Sequence, residues 1–431
     1  MPTRNAINYT LRHILKVAFP NIRTAVVISG NEVQAQVSDI TVGFPLMDKE
    51  MFLKMMEGTL PAETLTSPTR NTIPAFRIGD GQEIYSIEEK KITLHFDFLT
   101  LPFVMLSRFE ETLPKPRDSH GRFLFKDSLA DKYGFIDVPI VDEYALLIRS
   151  LVKKEFPDLE IVPRKSNFIS THDIDLISRF GNLYTNLRTL AADLLKYRSW
   201  AQFRTSMAQY RTCSRDELKD PYLLSTEMLL EKDIEAKRTS LFFVKSLRAG
   251  DEDATYDIFG TQAAHLVRTI EGRGGEIGLH GSYPSIDNPS SFTKEKIYLE
   301  NVTEHPITKG RQHYLRFEIK TTPKLWQNAG ISDDYTLGFA EREGFRCGTC
   351  HPYPLYDLQN DTPLDVTEHP LIAMDGTFYQ YQNLTPEPAL QKIRQLQATC
   401  EAAEGDFILL WHNTFVWREF TPWYEEVFCK I

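Results

Sequence analysis

The sequence predicts an α/β fold over its second half, preceded by an N-terminal α+β domain. Three observations predict it. From about residue 165 onward, short apolar runs alternate with helical patterns, as in a parallel sheet covered on both faces. Before residue 155 the texture is different: a hairpin pattern, one alternating strand and one helical pattern, without a catalytic constellation. The length, 431 residues, exceeds that of one ordinary domain.

The N-terminal domain is expected over residues 1–155. Ala25-Val26-Val27-Ile28-Ser29 and Val33-Gln34-Ala35-Gln36-Val37 flank Gly30-Asn31, which reads as a hairpin turn. The segment 92–98 alternates like a half-buried strand. Val141-Asp142-Glu143-Tyr144 opens a helical pattern, with Asp142 and Glu143 as helix-start residues. The stretch 156–165 marks a boundary, and the second domain is expected over 165–431.

In that domain five strands are expected, at 167–171, 240–244, 276–279, 369–374 and 407–411. Helices are expected over 261–271, 322–330 and 386–404, with Thr or Pro at their starts and Gly at their ends. The stretch 181–235 reads as a helical insertion after the first strand, and 187–211 within it as an amphipathic helix with a solvated basic face.

Composition narrows the function classes. Hydrophobic residues make up 42% and charged residues 25%, which suits a soluble globular core. A net charge of −10 argues against nucleic-acid binding. No stretch approaches the roughly 20 apolar residues that span a bilayer. The five cysteines and the absence of a leader pattern in the first twenty residues lead us to expect reduced thiols and a cytoplasmic location. Cys347-Gly348-Thr349-Cys350-His351 has the spacing of a haem-attachment motif, but that chemistry usually needs export. A tight turn with buried thiols is the expectation.

In parallel α/β folds the chemistry sits at the carboxyl ends of strands. Three of the expected strands run into acids or imidazoles there. The first runs into Thr171-His172-Asp173-Ile174-Asp175, the third into His280-Gly281-Ser282, and the last into His412-Asn413. Asp173 and Asp175 share a face if the strand continues. Two carboxylates so placed repel unless a cation sits beside them, and a metal ion lets one ligate while the other remains a base.

These residues resemble the polysaccharide deacetylase family, the NodB-homology or carbohydrate esterase family 4 domain, over about residues 165–431. The resemblance implies a distorted (β/α) barrel. It implies Asp173 as general base, Asp175 and His280 as ligands of a divalent metal (zinc first, cobalt or nickel as alternatives), and His412 as general acid. Arg311-Gln312-His313-Tyr314 is similar to the family's third motif; Arg311 would orient the base and Tyr314 would offer its backbone N–H to the oxyanion. The family's second motif has another histidine where this chain has Pro284. Ser282, Ser285, Asp287, His172, His313 or water could supply the missing ligand. Asp333-Asp334-Tyr335 stands where the fourth motif belongs. Tyr283 and Trp411 are the expected substrate contacts. The layout, with Gly338-Phe339-Ala340 and Gly344 to Gly348, is similar to a bacterial subgroup with a separate N-terminal domain. The implied activity is removal of N-acetyl groups from a saccharide of envelope or capsule metabolism. The alternative is an inactive scaffold that binds carbohydrate.

Overall fold

The structure is a computed structural model that describes residues 1–431 except 30, 31, 70, 71, 182, 197, 254 and 255. It comprises two compact units that interleave in sequence. The first contains Met1–Asn167, Leu315–Ala373 and Gln395–Ile408; the second contains Phe168–Tyr314, Met374–Arg394 and Leu409–Ile431.

The first unit opens with a helix, Arg4–Ala18, that the composition of its first turn did not announce. Thr3 caps it, its side chain accepting the Ala6 N–H at 3.1 Å. Ile7, Leu11, Ile14, Leu15 and Ala18 form one buried face. That helix packs against Ile140–Glu155. Thr24–Ser29 pairs antiparallel with Glu32–Val37, Ser29 opposite Glu32. The turn residues Gly30 and Asn31 lie outside the described residues. Ile40–Phe44 continues the sheet, pairing antiparallel with Glu32–Val37 and parallel with Lys91–Leu94.

The strand expected over 92–98 is broken at His95. Lys91–Leu94 stays in the larger sheet, while Phe96–Asp97 pairs with Ile73–Arg77 in a small one. His95 donates its N–H to Ile84 O and accepts Ile78 N–H, so its backbone serves neither ladder for long. Asp142 and Glu143 do start a helix, but both point inward. Asp142 accepts from Thr349 Oγ1 (2.6 Å) and Cys350 N–H (2.8 Å), and Glu143 from Ser67 Oγ (2.7 Å). Cys347 and Cys350 form the expected tight turn, with Gly348 at φ +67° between them. Both thiols are buried, and burial pushes them above the usual thiol range.

A buried ion cluster ties this unit together. Arg108 contacts Glu110 (2.7 Å) and Glu111 (2.8 Å), and Arg346 contacts Glu111 (2.8 Å), all nearly without solvent exposure. Burial alone would raise Glu111, but the Arg346 and Arg108 charges hold it below its ordinary value. Removing one partner strands a buried charge. Glu111→Gln is therefore expected to cost about 3–5 kcal/mol, read as a lowered denaturant midpoint.

The second unit is built on a parallel sheet. Its strands are β1 (Phe168–Ile174), β2 (Thr239–Val244), β3 (Glu276–Gly281) and β4 (Lys309–Gln312). β2 lies between β1 and β3, and β4 pairs with β3, all parallel. β5 (Phe407–Leu410), whose last two residues belong to this unit, lies beside β1. The pairing is that of an open sheet; none of the described pairings closes it into the barrel that the resemblance implied. Helices Pro221–Glu235, Thr261–Gly272 and Pro289–Thr303 make the crossovers.

Two further expectations are corrected. The strand expected over 369–374 shrinks to Ala373–Met374. Pro370 has no N–H, while His369 and Leu371 donate theirs to Asp334 O and Leu337 O. The single amphipathic helix expected over 187–211 is two helices, Leu183–Leu195 and Trp200–Cys213, the second capped by Ser199 accepting from Gln202 N–H. Their surface is not uniformly polar: Leu187, Leu195 and Trp200 are all more than half exposed.

Candidate metal centre and acid–base cluster

Strand register brings the polar residues to one level. Asp173 is opposite Phe243, Val244 is opposite Ile174 and Leu279, and His280 is opposite Arg311. The residue after each aligned apolar pair is thus Asp175, Lys245, His280 or Arg311, all at the carboxyl end of the sheet. Gly278 lets β3 lie this close, since a Cβ there would stand 2.7 Å from the Phe243 ring.

Period-two geometry puts Asp173 and Asp175 on one face and His172 on the other. His172 is committed there. Nδ1 lies 2.8 Å from Trp411 O, Nε2 lies 2.9 Å from Asp233 Oδ2, and the ring stacks on Phe242. It is not available as a ligand. Ser282 donates to Glu295 Oε1 (2.6 Å) and Ser285 to Ser282 O (2.7 Å), so they too are engaged.

The fold brings His313 beside Asp175 and His280. Asp175, His280 and His313 offer ligand atoms that all lie within 4.8 Å of one another. His280 Nδ1 faces Arg311 O at 3.0 Å and His313 Nδ1 faces Asp253 Oδ1 at 2.9 Å. Each contact places a proton on Nδ1 and leaves the Nε2 lone pair pointing inward, the tautomer that metal-binding histidines adopt. Asp175 Oδ1 stands 3.5 Å from His280 Nε2 and 3.4 Å from His313 Nε2. Among the described residues, His280 Nε2 and Asp175 Oδ1 are buried atoms without a hydrogen-bond partner. A divalent cation would satisfy both, so the donor set fits one.

Lys245 was not foreseen. Its side chain is 3% exposed, with Nζ 2.9 Å from Asp175 Oδ1 and 2.8 Å from His313 Nε2. The Asp175 contact is close but not aligned as a hydrogen bond. Burial would raise the Asp175 carboxyl; the Lys245 charge and the two imidazoles hold it well below the carboxylate range. The carboxylates of Asp175 and Asp253 favour a charged His313. A charged ring would, however, aim two donors at each other across 2.8 Å, so the neutral ring is the form that fits beside Lys245.

The acid–base pair sits beside this set. Arg311, fully buried over the Phe243 ring, donates to Asp173 Oδ1 at 3.0 Å and Thr171 Oγ1 at 2.8 Å. Burial opposes charge on Asp173, but His280 and Arg311 keep its pKa below the ordinary value. His412 follows β5. Asp375 accepts from its N–H (2.7 Å) and faces its Nδ1 (2.7 Å), while Nε2 is 3.8 Å from Asp175 Oδ2. Burial would lower the imidazole; Asp375, Asp175 and Asp173 more than offset it and push it up to about 9.

That shift has a stability consequence. The folded-state value lies above the ordinary His value of about 6.5, so protonation favours the fold. The contribution is complete below about pH 6.5, is lost as pH rises through about 9, and is on the order of 3 kcal/mol. Unfolding free energies of chelator-treated protein between pH 7 and 10 should fall more steeply for the wild type than for His412→Gln.

The remaining expected residues divide. Tyr283 and Tyr314 meet edge-to-face, ring centres 5.3 Å apart, next to His313. Tyr314 is 37% exposed and has left-handed backbone, φ 61°. Trp411 is completely buried, its Nε1–H donating to Phe415 O at 3.2 Å, so it offers no face to a sugar. Asp333-Asp334-Tyr335 belongs to the first unit, where Asp333 pairs with His369 and Tyr335 stacks on it. Asp375, Asp253 and Lys245 went unread because each lies outside a recognisable motif. Lys245 and Asp375, each the first residue after an apolar strand, carried the available signal.

Comparisons with known proteins describe the two halves differently. A family of unknown function, DUF7033, matches residues 2–157. No curated protein matches the chain. Among solved structures, one assigned as a polysaccharide deacetylase from Mycobacterium smegmatis is 17% identical, with 63% of this chain and 86% of that one covered and a TM-score of 0.40. A carbohydrate esterase family 4 pseudoenzyme from Bacillus anthracis is 11% identical, with 60% of each chain covered and a TM-score of 0.30. A mutant of it with restored activity is 12% identical, with 60% and 62% covered and a TM-score of 0.30. At these values the likeness is loose.

Proposed function

We propose that the second unit is a metal-dependent amide hydrolase that removes N-acetyl groups from a saccharide. One observation carries this reading. An acid–base pair, each member held by its own partner, stands beside a separate Asp–His–His donor set at neighbouring strand ends. Asp175, His280 and His313 would hold the cation, which as a Lewis acid would polarise the acyl carbonyl and the attacking water.

The chain's own residues do the rest. Asp173, charged and oriented by Arg311, accepts the proton of the attacking water. His412, protonated at neutral pH and oriented through Nδ1 by Asp375, gives a proton to the leaving amine. The backbone N–H of Tyr314 is the candidate donor to the oxyanion. The Tyr283 and Tyr314 rings form an aromatic edge suited to a sugar face. Acetylated intermediates of envelope or capsule polysaccharides are the substrates to try first.

The test is acetate release from N-acetylated oligosaccharides by zinc- or cobalt-loaded protein. Release that disappears with chelator supports the reading; none across a panel of acetylated sugars, in protein shown to hold one metal per chain, rejects it. The second reading, an inactive saccharide-binding scaffold, drew on Pro284. His313 fills that gap, and the ammonium of Lys245 within the donor set is the observation that still favours it.

A further inference from the structure

Two of the three donor atoms for the cation already face a positive charge. Lys245 Nζ lies 2.9 Å from Asp175 Oδ1 and 2.8 Å from His313 Nε2. A zinc ion stands about 2.0–2.2 Å from nitrogen and oxygen ligands. A group within 3 Å of two of those ligands stands close beside the position the ion would take. An ammonium and a dication at such separation repel strongly in a buried site. The ammonium, where it stands, therefore opposes binding of the ion.

The arrangement also has a reason to exist without metal. Asp173 and Asp175 are two carboxylates at the end of one strand, and Asp173 has Arg311. Asp175 has Lys245 at 2.9 Å from Oδ1, nearer than the His412 ring at 3.8 Å from Oδ2. A clustered carboxylate without a cation is costly, so the lysine stabilises the empty site. The backbone of Lys245 is pinned, its N–H donating to Tyr256 Oη at 2.7 Å, which in turn donates to Ile174 O at 3.1 Å. Only the four-carbon stem is left to move.

We propose that Lys245 is a built-in competitor for the metal: its ammonium occupies the Asp175–His280–His313 site until a divalent cation displaces it. The proposal rests on the metal-site reading above. It makes metal occupancy depend on the free metal concentration over a higher range than the ligands alone would set. Removing the lysine tightens metal binding, whereas removing an ordinary supporting residue weakens it.

Zinc affinity measured by competition with a chelating dye, on the full chain, separates the cases. Lys245→Met is expected to bind zinc at least tenfold more tightly than wild type. Its melting temperature without metal should be lower, and its rise on zinc addition larger. Equal or weaker binding by Lys245→Met, with the wild type binding one zinc, overturns the proposal and leaves the metal site standing. No binding by either protein overturns both. Should Lys245→Met fail to fold, the wild type answers instead. Amine labelling of Lys245, followed by mass spectrometry, should rise on zinc saturation as the ammonium leaves the cluster, and unchanged labelling overturns the proposal.

Discussion

Asp173→Asn is expected to lower acetate release by about 10²–10⁴-fold, the usual contribution of a general base. The amide keeps the shape of the carboxylate but cannot accept the proton of water. Its oxygen can still receive the Arg311 hydrogen bond, now at 3.0 Å, so the local packing should survive. Asp173 is outside the three-residue donor set, and zinc content should therefore stay near one per chain. The informative result is the combination of lost turnover and retained metal. Near-full activity would remove Asp173 from the mechanism. Loss of metal along with activity would recast it as a ligand.

His313→Ala is expected to abolish zinc binding at the concentrations that saturate the wild type, and activity with it. It removes one of the three residues of the donor set, and His172, Ser282 and Ser285 are hydrogen-bonded elsewhere. Asp253 offers a graded control. It holds His313 Nδ1 at 2.9 Å without belonging to the donor set. Asp253→Ala should therefore weaken zinc binding by about 10–100-fold, as outer partners of metal-bound histidines do. Elemental analysis with dye competition checks both. An unchanged zinc content in His313→Ala would mean that the third ligand lies elsewhere.

The strand ends that carry the site were legible because apolar runs stop abruptly at Asp or His. Phe168–Ile174, Thr239–Val244, Glu276–Gly281 and Phe407–Leu410 all fall where the apolar pattern put them. β4 escaped as a strand because Lys309-Gly310-Arg311-Gln312 is polar throughout. Its burial comes from Arg311 lying over Phe243 and bonding Asp173, a tertiary circumstance. Trp411 was misplaced for the converse reason. Its neighbour His412 faces the site, and alternation sends the indole into the core against Phe428.

By itself the sequence determined that Asp173, Asp175, His280 and His412 stand at or just beyond strand ends, because residue period and apolar runs are local properties; Arg311 entered only through the resemblance. Which side chains complete the cluster was decided only by tertiary structure. Strand order sets β2 between β1 and β3 with β4 beyond β3, and that order delivers Lys245 to Asp175 and His313. Asp375, 37 residues before His412 in the chain, becomes its partner through the same folding. Such pairings depend on which strand lies next to which, and no periodicity in a single segment records a neighbour.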